Sequence, residues 1–141
     1  MLKNVSIVVI IILVIIAAWW YWFDNSVVSP PLQEEPAVVI LDDLRAGDVI
    51  SSPLTFHGQA RGWWFFEASF PVHILDDKDN IIATGLATAS SDWMTEDYVP
   101  FTAQIKFTVP PGVKGTLVLQ KDNPSGLPEH DASIILPIKF K

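Results

Sequence analysis

Residues 5–23 read VSIVVIIILVIIAAWWYWF, an apolar run with no charge and only Ser6 as a polar interruption. About 20 apolar residues rising about 1.5 Å each cross a hydrocarbon core of about 30 Å. A run this rich in β-branched residues is a poor helix in water. In lipid no water is available to the backbone groups, so a helix is the way to satisfy them. Trp19, Trp20, Tyr21 and Trp22 gather at one end, where amphipathic rings favour the headgroup level. Lys3 precedes the run, and Asp24, Glu34 and Glu35 follow it. The positive-inside bias therefore predicts residues 1–4 in the cytoplasm and everything after Asp24 outside. A cleaved leader would carry a shorter apolar core ending in small residues. Bulky aromatics fill that place here. The expectation is an uncleaved signal anchor over residues 5–23 and a single-pass protein of the cell membrane.

Residues 24–36 follow as a tether. Within them SVVSPPLQEEP holds three prolines and two glutamates, a composition that stays extended and solvated. Charge then narrows the partners. The chain carries a net charge of -7, and setting aside Lys3 leaves -8 for the rest. Nucleic-acid binding needs a basic footprint to neutralise phosphates, so no nucleic acid is expected. A basic or metal-bridged partner suits this charge better than a purely anionic one. Zero cysteines exclude disulfides, thiolate metal sites, cysteine nucleophiles and a lipid-modified amino-terminal cysteine.

From residue 37 to 141 no stretch has a convincing 3.6-residue period. Two-residue alternation broken by turn signals recurs instead, which predicts an all-β fold. In Trp63–Asp76 the apolar positions Trp64, Phe66, Ala68, Phe70, Val72 and Ile74 alternate with positions that include Glu67, Ser69 and His73. In Phe101–Val109, Phe101, Ala103, Ile105, Phe107 and Val109 alternate with Thr102, Gln104, Lys106 and Thr108. In Ala132–Phe140, Ile134, Leu136, Ile138 and Phe140 point one way, while Ser133, Ile135, Pro137 and Lys139 point the other. Pro137 cannot donate a ladder hydrogen bond, so an edge strand or bulge is expected there. Shorter strands are expected at Val38–Leu41, Leu54–Gly58, Ile81–Ala89 and Thr116–Lys121. Asp76–Asn80 and Pro110–Gly112 read as turns. About seven strands in a domain of this size predict an immunoglobulin-like antiparallel β-sandwich.

Several strings in this region carry a resemblance. SPLTFHGQARGWWFFEASFPVHILDD, SDWMTEDYVPFTAQIKF and GTLVLQKDNPSGLPEHDASIILPIKF occur in that order. Together they resemble the immunoglobulin-like domain of bacterial spore-germination proteins, a member of the germination and sporulation membrane-associated group. The resemblance covers roughly Val38 to Phe140. It implies an extracytoplasmic β-sandwich, often behind an amino-terminal anchor, and no established activity.

Candidate sites follow from residue chemistry. His57, His73 and His130 lack any paired-ligand spacing, and Asp76, Asp77, Asp79 and Asn80 lack the glycine and distal glutamate of a calcium loop. No metal or cofactor is expected. Asp92, Glu96 and Asp97 supply the carboxylates that glycoside hydrolysis would need, but nothing fixes their separation. No catalytic residues are assigned. Candidate ligand-binding residues are Trp63 and Trp93 as stacking rings, Arg61 and Glu67 as a charge-assisted pair, and Asp122, Asn123 and Ser125 in the DNPSG turn. Trp63 and Phe65 are expected to share one face with Glu67. The reading is a non-catalytic module that binds or organises a cell-envelope component, whether an envelope protein or a cell-wall glycan. A carbohydrate-binding module is the alternative, and a glycosidase a more distant one.

Overall fold

The computed structural model describes residues 36–109 and 112–141. The expected cytoplasmic start, the membrane helix over 5–23 and the tether up to residue 35 lie outside the described residues. Among the described residues no helix is long and apolar enough to cross a membrane.

The alternating segments become strands because each buries one side and wets the other. In chain order they are β1 (Val39–Leu41), β2 (Val49–Ile50), β3 (Leu54–Arg61), β4 (Ser69–Leu75), β5 (Ile81–Ala89), β6 (Tyr98–Ile105), β7 (Lys114–Gln120) and β8 (Ser133–Phe140). Their hydrogen-bonding order is β1-β3-β6-β5-β4-β7-β8-β2, one continuous ribbon of eight strands. All pairs are antiparallel except β2 with β8, where Val49 and Ile50 run parallel to Lys139 and Phe140. This departs from the expected wholly antiparallel pattern. A two-residue strand is too short to show alternation, so its sequence carried no strand signal.

The ribbon folds over at β5. Ala87 pairs with Phe70 of β4 on one side and Ala103 of β6 on the other. The β1-β3-β6 layer thereby faces the β4-β7-β8 layer. Phe70 and Phe101, from strands that are not neighbours in the ribbon, bring their rings within 5.0 Å at 76°, and Phe56 meets Phe101 edge-on at 6.2 Å. Leu117, Leu119, Ile138 and Phe140 complete the interior. Each such edge-to-face pair contributes about 0.5–1.5 kcal/mol beyond burial.

Two expected strands are shorter than the alternation suggested. The Trp63–Asp76 segment is a strand only from Ser69 onward; Gly62–Trp64 forms a 3-10 turn, and Glu67 and Ala68 occupy a tight reversal. Consecutive residues Trp64 and Phe65 are therefore both buried, packing on Phe70 with ring separations of 6.3 and 5.1 Å, and Phe66 turns outward. Phe65 does not share the exposed face of Trp63. The β6 ladder stops at Ile105; beyond it the Phe107 N–H donates to the Ser52 hydroxyl at 2.9 Å and its ring lies 5.4 Å from that of Phe140. Pro137 stands opposite Thr116. On its other side no strand partner has yet begun, and its carbonyl accepts the Gly47 N–H at 2.8 Å.

Candidate functional site

The connection from β3 to β4, the loop from β5 to β6 and the loop from β7 to β8 meet at one end of the sandwich. Gly62 makes the first junction. A Cβ at this position would stand 1.9 Å from the Thr95 carbonyl oxygen and 2.4 Å from that of Trp93, so only glycine lets the β5–β6 loop close over it. The Gly62 N–H donates to the Asp97 carbonyl at 3.0 Å, and the Asp122 N–H donates to the Trp64 carbonyl at 3.1 Å. The predicted residues are thus gathered from distant parts of the chain.

Their roles diverge once there. Trp63 is 48% exposed, and the Lys121 ammonium lies 5.6 Å from its ring centroid. Lys121 is held by a 3.0 Å bond to the His130 carbonyl. Trp93 is half-buried against the core. Arg61 does not pair with Glu67. Its guanidinium stacks 4.0 Å from the Tyr98 ring centroid and donates to the Glu96 carbonyl at 3.3 Å. The Arg61–Glu67 pairing fails because the strand ends at Arg61, and Glu67 falls in the reversal rather than on a neighbouring strand.

The DNPSG turn spends most of its polar groups on itself. The Asn123 amide donates to the Leu127 carbonyl at 2.8 Å and to an Asp131 carboxylate oxygen at 2.7 Å. The Ser125 hydroxyl donates to the Asn123 side-chain oxygen at 2.5 Å and accepts the Leu127 N–H at 3.2 Å. Asn123 and Ser125 therefore build the loop, and Asp122 fastens it to Trp64 through its backbone. Holding the loop in this way turns Leu127 outward.

The exposed apolar set at this end is Trp63, Phe66, Met94 and Leu127, with Met94 77% exposed. Phe66 and Leu127 were not singled out from sequence as outward residues. Leu127 had a readable signal, since it is a lone large apolar residue inside a turn otherwise made of polar, proline and glycine residues. Glu67, Asp92, Glu96, Asp97, Glu129 and Asp131 lie in the same three connections as this set and form its acidic rim, beside the cations Arg61 and Lys121. Within that rim Asp92 accepts the Met94 N–H at 3.1 Å, and Asp97 accepts the Thr95 hydroxyl at 3.5 Å. These carboxylates shape the loop.

The other titratable groups lie apart. His57 donates its backbone N–H to Asp43 at 2.9 Å, and its Nδ1 lies 2.9 Å from the second carboxylate oxygen. Partial burial pushes the Asp43 carboxyl up, but the His57 backbone bond, side-chain bond and charge together hold it below its ordinary value. Asp76 is lowered by the Asn80 side-chain amide first, then by the Asn80 and Lys78 N–H groups, and so serves the β4–β5 hairpin. His73 Nδ1 lies 3.0 Å from the Thr84 hydroxyl. Among the described residues no group of three or more His, Asp or Glu side chains converges as a metal site would require.

Comparison with known protein families matches residues 45–127 to the immunoglobulin-like domain of bacterial spore germination. Comparison with curated proteins and with solved structures returned no match. The matched span runs from just before β2 into the β7–β8 loop, and takes in the β3–β4 and β5–β6 connections of the loop end and the first part of the third. With the match covering more than half of the chain, this protein belongs to the family of immunoglobulin-like domains of bacterial spore germination.

Proposed function

We propose that this protein is a non-catalytic binding module, anchored in the membrane by residues 5–23 and presenting its sandwich outside the cell to another envelope component. The apolar run and the proline-rich tether of the sequence support the anchoring. The observation that carries the binding role is the loop end itself. Connections from separate parts of the chain, fastened by Gly62 and Asp122, expose Trp63, Phe66, Met94 and Leu127 within an acidic rim. Large apolar side chains grouped at the end of a rigid sandwich cost solvation unless a partner covers them. The rim favours a partner with cationic groups or one bridged by divalent metal.

Retention of the full chain on isolated cell envelope tests this reading. Trp63→Ala combined with Met94→Ala should lower retention about tenfold, the loss of one or two buried anchors. Unchanged retention sinks the proposal. The open Trp63 ring also supports the carbohydrate reading, since an indole face stacks on sugar rings. Competition by soluble cell-wall glycan selects that reading, whereas loss of retention after protease treatment of the envelope selects a protein partner.

A further inference from the structure

The outward face of the β5-β4-β7-β8 layer borders the loop end along one edge and is unusual for a sheet turned to water. On an antiparallel sheet packed on one side, the other side ordinarily carries charged and polar residues. Here the outward positions hold Ile81, Leu86, Pro71, Val118, Ile135 and Pro137, with Ile135 64%, Ile81 60% and Leu86 56% exposed. The remaining outward positions along these strands are serine, threonine, glutamine, leucine and one histidine, His73. The opposite layer is conventional: Thr55, His57, Gln59 and Arg61 line the outward side of β3.

Within the four strands charge appears only at Lys114 and Lys139, at the end that also carries the β4–β5 hairpin with Asp76, Asp77, Lys78 and Asp79. The two lysines stand directly opposite each other on β7 and β8. Like charges so placed are unfavourable. Neither lysine has a carboxylate partner, since among the described residues the one ion pair is His57 with Asp43. Asp48, which precedes β2, spends a carboxylate oxygen on the Arg45 N–H at 2.8 Å. At the other end Asp131, one carboxylate oxygen of which takes the Asn123 amide at 2.7 Å, lines a shallow groove with Val118, Gln120 and Ser133, and Asp122 stands two residues beyond the end of β7.

The spacing is symmetric. Val118 pairs with Ile135 at the centre. Lys114 and Asp122 are equally far from Val118 along β7, and Lys139 and Asp131 equally far from Ile135 along β8.

We propose that this face is the contact surface for a second copy of the same chain. The two-fold axis lies in the interface, across the strands, over the Val118–Ile135 pair. That operation places β7 on β7 and β8 on β8 in opposite directions. Lys114 of each copy then meets Asp122 of the other, Lys139 meets Asp131, and the apolar centres cover one another. An interface of this kind is self-complementary, as a two-fold contact requires. The operation with strands in the same direction sets lysine against lysine and is disfavoured. Strands about 4.8 Å apart and about 3.4 Å per residue give a face of roughly 19 by 24 Å. A pair therefore covers about 900 Å² before side-chain relief is counted, close to the lower bound of specific association and suited to a reversible dimer.

The absence of cysteine makes the test clean. Ile135→Cys stands on the proposed axis, and Thr102→Cys on the outward side of the opposite layer is its control. In the full chain held in detergent, mild oxidation should give a covalent dimer from Ile135→Cys and little from Thr102→Cys. Adding Lys139→Glu to Ile135→Cys should cut the yield at least tenfold, and adding Asp131→Lys as well should restore it. Circular dichroism confirms that the variants stay folded. Equal yields from the two cysteines mean that contacts elsewhere in the chain bring copies together, and they overturn the proposal. A yield indifferent to Lys139→Glu overturns it too, as does cross-linking of Ile135→Cys in cells to other proteins only.

Discussion

At Gly62 the close approach of two carbonyl oxygens leaves no volume for a methyl group. Gly62→Ala should therefore push the β5–β6 loop away and destabilise the domain by about 2–3 kcal/mol, the usual cost of overpacking against backbone. A denaturant midpoint equal to that of the parent chain would contradict this. Asp43 has a different dependence. Its carboxyl is held below the ordinary value by the contacts from His57, so its contribution is present above the unfolded value and is lost as pH falls through the lower folded value. Both side chains are about half-exposed, which keeps the contribution small. Asp43→Asn should lower stability slightly at pH 6, with the difference from the parent closing in acid, as urea melts across pH will read. Neither residue announces itself in sequence. The glycine of G-W-W and the aspartate of L-D-D acquire their roles from Thr95, Trp93 and His57, which are distant in the chain.

Elements reveal where two-residue alternation is trustworthy. It located β5 residue for residue, and the inward and outward sides of β8 as observed. It failed at Trp63–Ala68, because the same apolar density that marks a buried strand also marks a buried turn. Phe66 and Ser69 exchange both backbone hydrogen bonds, at 3.0 and 3.1 Å, around Glu67 and Ala68, which have φ of 48° and 61°. Two adjacent left-handed residues define the turn that Asn-Gly fits best, and side-chain-bearing residues there cost about 1 kcal/mol each. Glu-Ala gives no turn signal, so the reversal was invisible to composition. Glu67→Asn with Ala68→Gly should stabilise the domain by about 1 kcal/mol, measured as a raised urea midpoint. A lowered midpoint would show that Glu67 or the Ala68 methyl is needed in place.

Across the whole domain, the family match ends at residue 127 while the fold does not. Strand β8 pairs with β7 from Lys114 to Gln120 and buries Ile138 and Phe140 in the common interior. A chain ended at residue 127 should lose cooperative unfolding and expose its apolar interior to hydrophobic dyes. A sharp urea transition in the truncated chain would disprove that. The sandwich class was legible because each layer repeats the same alternation many times. The position of the loop end was not, because it depends on which strands become neighbours, and alternation carries no information about order. Of the candidate residues, Trp63 has an open ring, while Asn123 and Ser125 build the β7–β8 loop and Trp93 is half-buried against the core.

The ladder order has a mechanical corollary. The ribbon terminates at β1, secured by a mere three residue pairs, whereas β8 is bound along β7 by seven. Tension applied between Pro36 and Lys141 would therefore detach the three-pair amino-terminal ladder first, while β8 stays held by seven pairs to β7 and two to β2. Such an arrangement gives a sacrificial link that yields before the body of the domain.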